Sequence, residues 1–374
     1  MTPILSPVEA LTLVADGLDD TTVGALAGRP LLAVSIHGDP RSEQVVSRLA
    51  EVLRESPVVL VGVATGAGPA PGTGIGLDVL LCDGPLGRAP RPWVACPDGV
   101  EAELDRLAAA VDHSPGASVA LAQLLRVGEP LSAADAVVAE SWVYSLLQAG
   151  QHHRDWLDVR ADRPRKPRPE RPVVLIERRG PVLALTFDRP EVRNAYGTRS
   201  RDELVAALQL AAVDESVEEV ELRGNGPAFC SGGDLDEFGT AGDAAAAHLV
   251  RTTRNAGIQL ARVADRAHAF VHGPCVGAGV ELPAFARRVT ARSDATFLLP
   301  EVAMGLVPGA GGTASIPRRI GRHRTAHLAI AGRPVDAATA LDWGLVDAVD
   351  DDAFPPASTP TPTPTSAPAP APGA

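Results

Sequence analysis

Two glutamates and two small residues end apolar runs in the second half of the chain. Glu281 closes HGPCVGAGVE (272–281), and Glu301 follows the strand-like run Thr296–Leu299 immediately after Pro300. Two carboxyl groups around one site suit paired acid–base work, one taking a proton from water and the other handling a proton at carbon. Upstream, RGNGPAFCSGGDLD (223–236) is a glycine-dense turn after a strand that ends at Leu222. Gly232 and Gly233 let the backbone approach a ligand closely and point an N–H outward. Gly277-Ala278-Gly279 is placed to begin a helix, whose first N–H groups are unpaired and lie at its positive end. One N–H from each of these two turns, aimed at one carbonyl oxygen, would act as an oxyanion hole, each donor worth about 2.7–4 kcal/mol. Glu281 lies one helical turn past Ala278 and shares its face. Among Val280, Leu282 and Phe285, a carboxylate is costly to bury unless it is paired or functional. By periodicity alone, both glutamates also fit surface positions at element ends.

The elements that must position these residues can be read from the hydrophobic pattern. Pro30–Ile36, the amphipathic stretch Ser42–Glu55 and Pro57–Ala64 form a βαβ opening with a parallel, right-handed crossover. A Gly/Pro loop with glycines at 66, 68, 72, 74 and 76 follows; it lacks the G-x-G-x-x-G spacing, so a dinucleotide site is not expected. Short strands at Val79–Cys82 and Trp93–Cys96 precede helices at Val100–Val111, Ala117–Val127 and Ala133–Ala149, the last with Ser132 as N-cap. The second half opens in the same way: Pro181–Phe187, Arg201–Ala212 and Val217–Leu222 echo the first βαβ unit. This reads either as an internal duplication or as the likeness of any two such openings. Only the second copy carries the polar and glycine-rich segments above.

The 374 residues favour two domains over one. Apolar residues make up 45% and aromatics only 3%, so the cores must be aliphatic. A net charge of −12 argues against a nucleic-acid partner or an anionic-membrane surface. Cys82, Cys96, Cys230 and Cys275 are widely spaced, with no zinc-ligand pattern, which fits a reducing cytoplasm. Neither a signal peptide nor a membrane span is expected. ADRPRKPRPERP (161–172) reads as a Pro/Arg linker. Residues 351–374, dominated from Pro355 by PPASTPTPTPTSAPAPAPGA, read as a disordered tail. The organisation expected is an N-terminal domain at 1–160, the linker, a catalytic domain at 173–350 and the tail.

Other candidates read as structural. Cys230-Ser231 has no histidine–acid partner pattern to make a nucleophile. Asp234, Asp236 and Glu237 fit the start of a short helix better than a metal site. His272 reads as a turn residue, His152, His153, His323 and His327 lack companion ligands, and Met304 and Trp343 read as core.

From about Val173 to Val349 the chain resembles the crotonase (enoyl-CoA hydratase/isomerase) superfamily. The resemblance rests on DRPEVRNA (188–195), GPAFCSGGDL (226–235), HGPCVGAGVEL (272–282), FLLPEVAMGLVPGAGGT (297–313) and GRPVDAATALDWGLVDAV (332–349), in order and at family spacing. It implies an α/β fold, a crotonase-like spiral of ββα units, here with an additional N-terminal α/β domain rich in helices. It implies an acyl-CoA thioester as substrate, no metal or redox cofactor, and a homo-oligomer. Gly233 and Ala278 match the family residues whose amides hold the thioester oxygen, and Glu281 and Glu301 match both glutamates of the hydratases. Arg193, Ala195, Ser231, Asp234 and Leu235 fall where the family lines its CoA groove. Retention of both glutamates favours a hydratase. Double-bond isomerisation, hydrolysis, cofactor-free oxygenation and a non-catalytic CoA-binding scaffold stay open. Pro283 departs from the pattern and is expected to kink the Glu281 helix. The resemblance also implies C-terminal helices over the acyl site; helices at 117–127 and 133–149 are expected to take their place.

Overall fold

The computed structural model describes residues 1–15, 24–36, 40–54, 57–64, 74, 76–85, 88–163 and 170–354. Most of the Gly/Pro loop, the middle of the Pro/Arg linker and the tail from 355 lie outside the described residues.

In the first half, β1 (Ile4–Leu5), α1 (Pro7–Ala15), β2 (Leu31–Ile36), α2 (Pro40–Val52) and β3 (Val59–Ala64) alternate. β4 (Val79–Asp83) and β5 (Val94–Cys96) complete a five-stranded sheet in sequential order, with every pairing parallel. Parallel strands are covered on both faces, which is why VLVGVA in β3 is uninterruptedly apolar and wholly buried. Four helices follow: α3 (Val100–His113), α4 (Pro115–Gly128), α5 (Ala133–Gln148) and α6 (Gln151–Asp158). Ser132 caps α5 as the sequence predicts. Its Oγ accepts the Asp135 amide at 3.2 Å and donates to the Asp135 carboxylate at 2.6 Å.

The second half begins with β6 (Val174–Arg179), β7 (Val182–Phe187), α7 (Thr198–Val213), β8 (Glu219–Gly224), α8 (Ala244–Thr253) and α9 (Ala256–Arg262). It continues with β9 (Ala267–Val271), β10 (Pro274–Val276), α10 (Ala278–Glu281), β11 (Arg288–Ala291) and β12 (Thr296–Leu298). α11 (Gly312–Ile320), α12 (Arg322–Ala331), β13 (Val335–Asp336), α13 (Ala337–Trp343) and β14 (Ala348–Val349) close it. The large sheet has the order β14-β11-β9-β8-β7-β6, and the small one β10-β12-β13. The chain leaves β9 for β10 of the small sheet and then enters α10; β11, β12 and α11 repeat that path. This repeated step positions the site. β10 and β12 run parallel with Val276 opposite Leu298, and a parallel bridge joins Cys230 to Cys275. Chain leaving these three tracks emerges side by side, carrying Gly233, Ala278 and Glu301.

Three expectations are corrected. Residues 235–239 form turns, and the next helix starts only at Ala244, because the carboxylates there serve other elements: Asp234 pairs with Arg189 at 2.9 Å and Glu237 accepts the Thr198 amide at the start of α7 at 2.7 Å. Met304 is half-buried rather than core, whereas Trp343 is buried. Asp351–Ala353 forms a 3₁₀ turn, tied by Asp351 to the Ser293 amide at 2.7 Å, so packed chain reaches beyond Asp350. Pro283 does end α10 after one turn, and Pro283–Phe285 continues as a 3₁₀ turn.

One aliphatic cluster joins the two halves. It runs from Val61 and Leu81 through Leu104, Leu121, Leu125 and Val137 to Ile316, Leu328 and Trp343. α12 adds polar ties: Arg322 donates to the Leu77 carbonyl at 2.7 Å, Arg324 to Ala89 at 2.9 Å, and His327 meets Glu103 at 2.8 Å. All four cysteines are free and buried, and no helix among the described residues is long and apolar enough to cross a membrane.

Candidate active site

A cavity of about 530 Å³ opens where the three tracks end. It is lined by Gly233, Asp234, Ala278, Glu281 and Glu301, with Tyr196, Phe238, Gly309 and Ala310 among its neighbours. Ala278 is the first residue of α10, so its N–H has no carbonyl within the helix. Gly233 belongs to no helix or strand ladder, and neither amide has an acceptor among the described residues. Gly277, with φ +49°, makes the turn that presents Ala278; a side chain there would run into the Glu301 carboxylate as well as strain the backbone.

Both glutamates are buried, and they differ in what surrounds them. Glu281 Oε2 accepts the amides of Ala310 at 2.7 Å and Gly312 at 2.8 Å, and Ser315 ties down its carbonyl at 2.8 Å. Glu301 Oε2 is buried with no hydrogen-bond partner among the described residues. Burial pushes the Glu281 carboxyl above the usual range, and its two amide donors pull against that rise. Burial, and after it the Glu281 charge, pushes Glu301 well above its ordinary value. A carboxylate that accepts N–H groups is favoured as the anion, and an orphan one as the neutral acid. Glu281 is thus arranged to hold the negative charge and Glu301 to hold a proton.

A third carboxylate comes from the first half. Glu140 of α5 is buried against the loop before α11; its Oε1 accepts the Gly311 amide at 2.7 Å. Its Oε2 accepts the Thr313 amide at 2.8 Å and hydroxyl at 2.7 Å. Successive amides of Ala310–Thr313 therefore alternate between Glu281 and Glu140. Burial, then the Glu281 charge, raises the Glu140 carboxyl, while its donors oppose the rise.

The enoyl-CoA hydratase/isomerase family model matches residues 177–354. The 2,3-dehydroadipyl-CoA hydratase of Escherichia coli (strain K12) is 35% identical over 176 residues, covering 47% of this chain and 68% of that protein. This chain belongs to the enoyl-CoA hydratase/isomerase family. The enoyl-CoA isomerase/hydratase fer4 of Mycosarcoma maydis is 35% identical over 177 residues, covering 45% of this chain and 65% of its own length. The crystal structure of enoyl-CoA hydratase from Thermoplasma volcanium GSS1 is 32% identical, covering 49% of this chain and 74% of that one, with a TM-score of 0.45. The chain thus spans about two thirds of the length of the curated relatives it matches.

Of the residues singled out by sequence in this family member, Gly233, Asp234, Ala278, Glu281 and Glu301 come together on the cavity. Arg193, Ala195, Ser231 and Leu235 are not among its lining residues. Arg193 is exposed in a left-handed conformation (φ 53°), and its carbonyl accepts the Ser231 amide at 2.9 Å. Ala195 accepts an Arg189 N–H at 3.3 Å through its carbonyl, and Leu235 is exposed. His272 is bonded to the Gly226 carbonyl at 2.9 Å and His153 to that of Met304 at 2.9 Å, both structural roles. No metal-ligand cluster occurs among the described residues.

Sequence reading missed Glu140, and with it Tyr144 and Gln148, which line the cavity from α5, and Arg251, which lines it from α8. A signal for Glu140 was available. It sits at i+4 from Ala136 and i+3 from Val137, on the buried face of α5, where a charge needs a partner.

Proposed function

We propose that the chain is a hydratase, a lyase that adds water across the double bond of a 2-enoyl-CoA. The observation that carries this reading is the unequal pair: Glu281 with two amides of the next loop on one oxygen, Glu301 with one buried oxygen that no group answers among the described residues, both facing one cavity with two uncommitted backbone N–H groups. Glu281 takes a proton from water as its oxygen bonds to C3 of the enoyl group. The C2–C3 π electrons move toward the thioester, whose oxygen becomes an enolate between the Gly233 and Ala278 amides. Glu301 then gives its proton to C2, and both glutamates reset by proton exchange with solvent. Delivery of both groups from one cavity makes the addition syn. Coenzyme A enters as part of the substrate, its carrier placed along Arg193, Ala195, Ser231, Asp234 and Leu235; no metal or redox group has a step. The names of the relatives, hydratases among them, support the same chemistry.

The test is loss of enoyl absorbance with crotonyl-CoA, with mass spectrometry showing the gain of one water. Glu281→Gln and Glu301→Gln should each lower turnover by about 10²–10⁴-fold, the range of general acid–base contributions. Turnover of a 3-enoyl-CoA without hydration of any 2-enoyl-CoA would replace the hydratase by an isomerase.

A further inference from the structure

One wall of the cavity is built by α5 and α8, and its chemistry is not used by the hydration step. Arg251 of α8 lines the cavity and is half-buried. Its Nε donates to Ser141 Oγ at 3.1 Å, its Nη1 to Gln148 Oε1 at 3.4 Å and its Nη2 to Ser145 Oγ. The guanidinium carbon lies 4.6 Å from the centre of the Tyr144 ring. Every one of these partners is neutral. Apart from Glu281 and Glu301, the other charges along the cavity are answered within the protein. Arg201 meets Asp202 at 2.9 Å, Asp234 meets Arg189 at 2.9 Å, Glu237 accepts the amide and hydroxyl of Thr198 at 2.7 Å, and Asp243 caps α8. Among the described residues no carboxylate lies within ion-pair distance of Arg251.

The donors left over point to a ligand. A guanidinium carries five N–H groups, of which three are engaged here. It has no acceptor, so Gln148 turns its oxygen toward Arg251, and among the described residues its NH₂ meets no acceptor. A cation taken partly out of water beside neutral groups is unfavourable until an anion completes it. We propose that Arg251 and Gln148 bind a carboxylate at the far end of the acyl chain, so that the preferred substrates are ω-carboxyacyl thioesters rather than plain alkyl ones. The acyl side, not the phosphates of the carrier, is the source favoured by position. Tyr144, on whose face Arg251 rests, packs its ring on Gly309, next to the Ala310 amide that holds Glu281.

This inference rests on the acyl-CoA reading for the carrier and cavity, and not on the reaction catalysed. Saturated thioesters therefore test it by binding alone. Calorimetric titration of the full chain with adipoyl-CoA and hexanoyl-CoA should show a preference of roughly 10–100-fold for the carboxylate, the worth of one or two charge-assisted hydrogen bonds. In Arg251→Met that ratio should fall to near one, in Arg251→Lys part of it should return, and in Gln148→Leu it should fall less. Equal affinities in the wild-type protein would overturn the proposal, whatever the fate of the variants. So would an Arg251→Met protein that loses hexanoyl-CoA, adipoyl-CoA and free CoA alike, which would assign the cation to the carrier phosphates. If neither thioester nor CoA binds, the acyl-CoA reading itself fails; if they bind with the stated ratio but no water is added, only the hydratase reading does.

Discussion

Glu301 is buried with one oxygen unanswered, and that isolation should be measurable without any substrate. A carboxyl whose folded pKa lies above its unfolded value keeps a proton that the unfolded chain releases. The folded state then binds more protons, so its contribution to stability falls as pH rises from the unfolded carboxyl range, around 4.3, toward the raised folded value. Glutamine at 301 removes the ionisation while keeping the shape. The melting temperature of Glu301→Gln relative to wild type should therefore rise steadily from pH 5 to pH 8. A difference that stays flat across that range would mean that Glu301 ionises freely in the fold, and the acid role assigned to it would go. Glu281 and Glu301 stood out in the sequence because each ends an apolar run and falls where the resemblance puts a hydratase glutamate. The unequal surroundings of the two did not, since the amides of Ala310 and Gly312 that reach Glu281 lie 29 and 31 residues away and no spacing brings them there.

At the scale of elements, α5 does more than cover the cavity: through Glu140 it grips the loop that enters α11. Three donors and no acceptor face the Glu140 carboxyl and favour its anion, against the rise that burial and the Glu281 charge impose. Glutamine in its place sets an NH₂ against an N–H, a mismatch worth about 1–3 kcal/mol in a buried site. The alternating grip on Ala310–Thr313 then loosens, and a displacement near 1 Å at a reacting group can cost on the order of 100-fold in rate. We expect Glu140→Gln to lower kcat more than it alters KM. Removal of a neighbouring negative charge should also move the acid limb of the pH–rate profile to lower pH, because Glu281 then ionises more easily. The carboxyls facing Glu281 are Glu140 and Glu301, so Glu301→Gln in the same background controls for the other. A lowered melting temperature with an unmoved limb would leave Glu140 a packing residue only. The boundaries of α3, α4 and α5 and the Ser132 cap were readable from period and capping chemistry alone. The docking partner of α5 was not, because Glu140 and Gly311 are brought together by tertiary packing across 171 residues.

For the whole molecule, the composition break at 161–172 led to two expected domains; one buried cluster contains residues of both halves, and a second lies within the first half alone. Linker composition reports where the chain is exposed, not whether the segments on either side share a core. Here α4 and α5 bury Leu121, Leu125, Ala136 and Val137 in the same cluster as Ile316 and Leu328 of α11 and α12. Arg322 and Arg324 direct their N–H groups at carbonyls of the first half, and Arg126 and Asp78 pair at 2.5 Å beneath them. Removing the first half would expose that apolar face to water and take from Arg322 and Arg324 the carbonyls of Leu77, Trp93 and Ala89. It would also remove Glu140, Tyr144 and the Ser141, Ser145 and Gln148 side chains that hold Arg251. Residues 170–374 expressed alone should therefore be insoluble, or soluble and inactive on any acyl-CoA, as judged by size-exclusion chromatography and turnover. Co-expression with residues 1–163 should restore both, since the interface is a core divided in two and needs no covalent link to reform. A soluble, fully active 170–374 fragment would show that the catalytic segment carries its own complete cavity, and that the first half only decorates it.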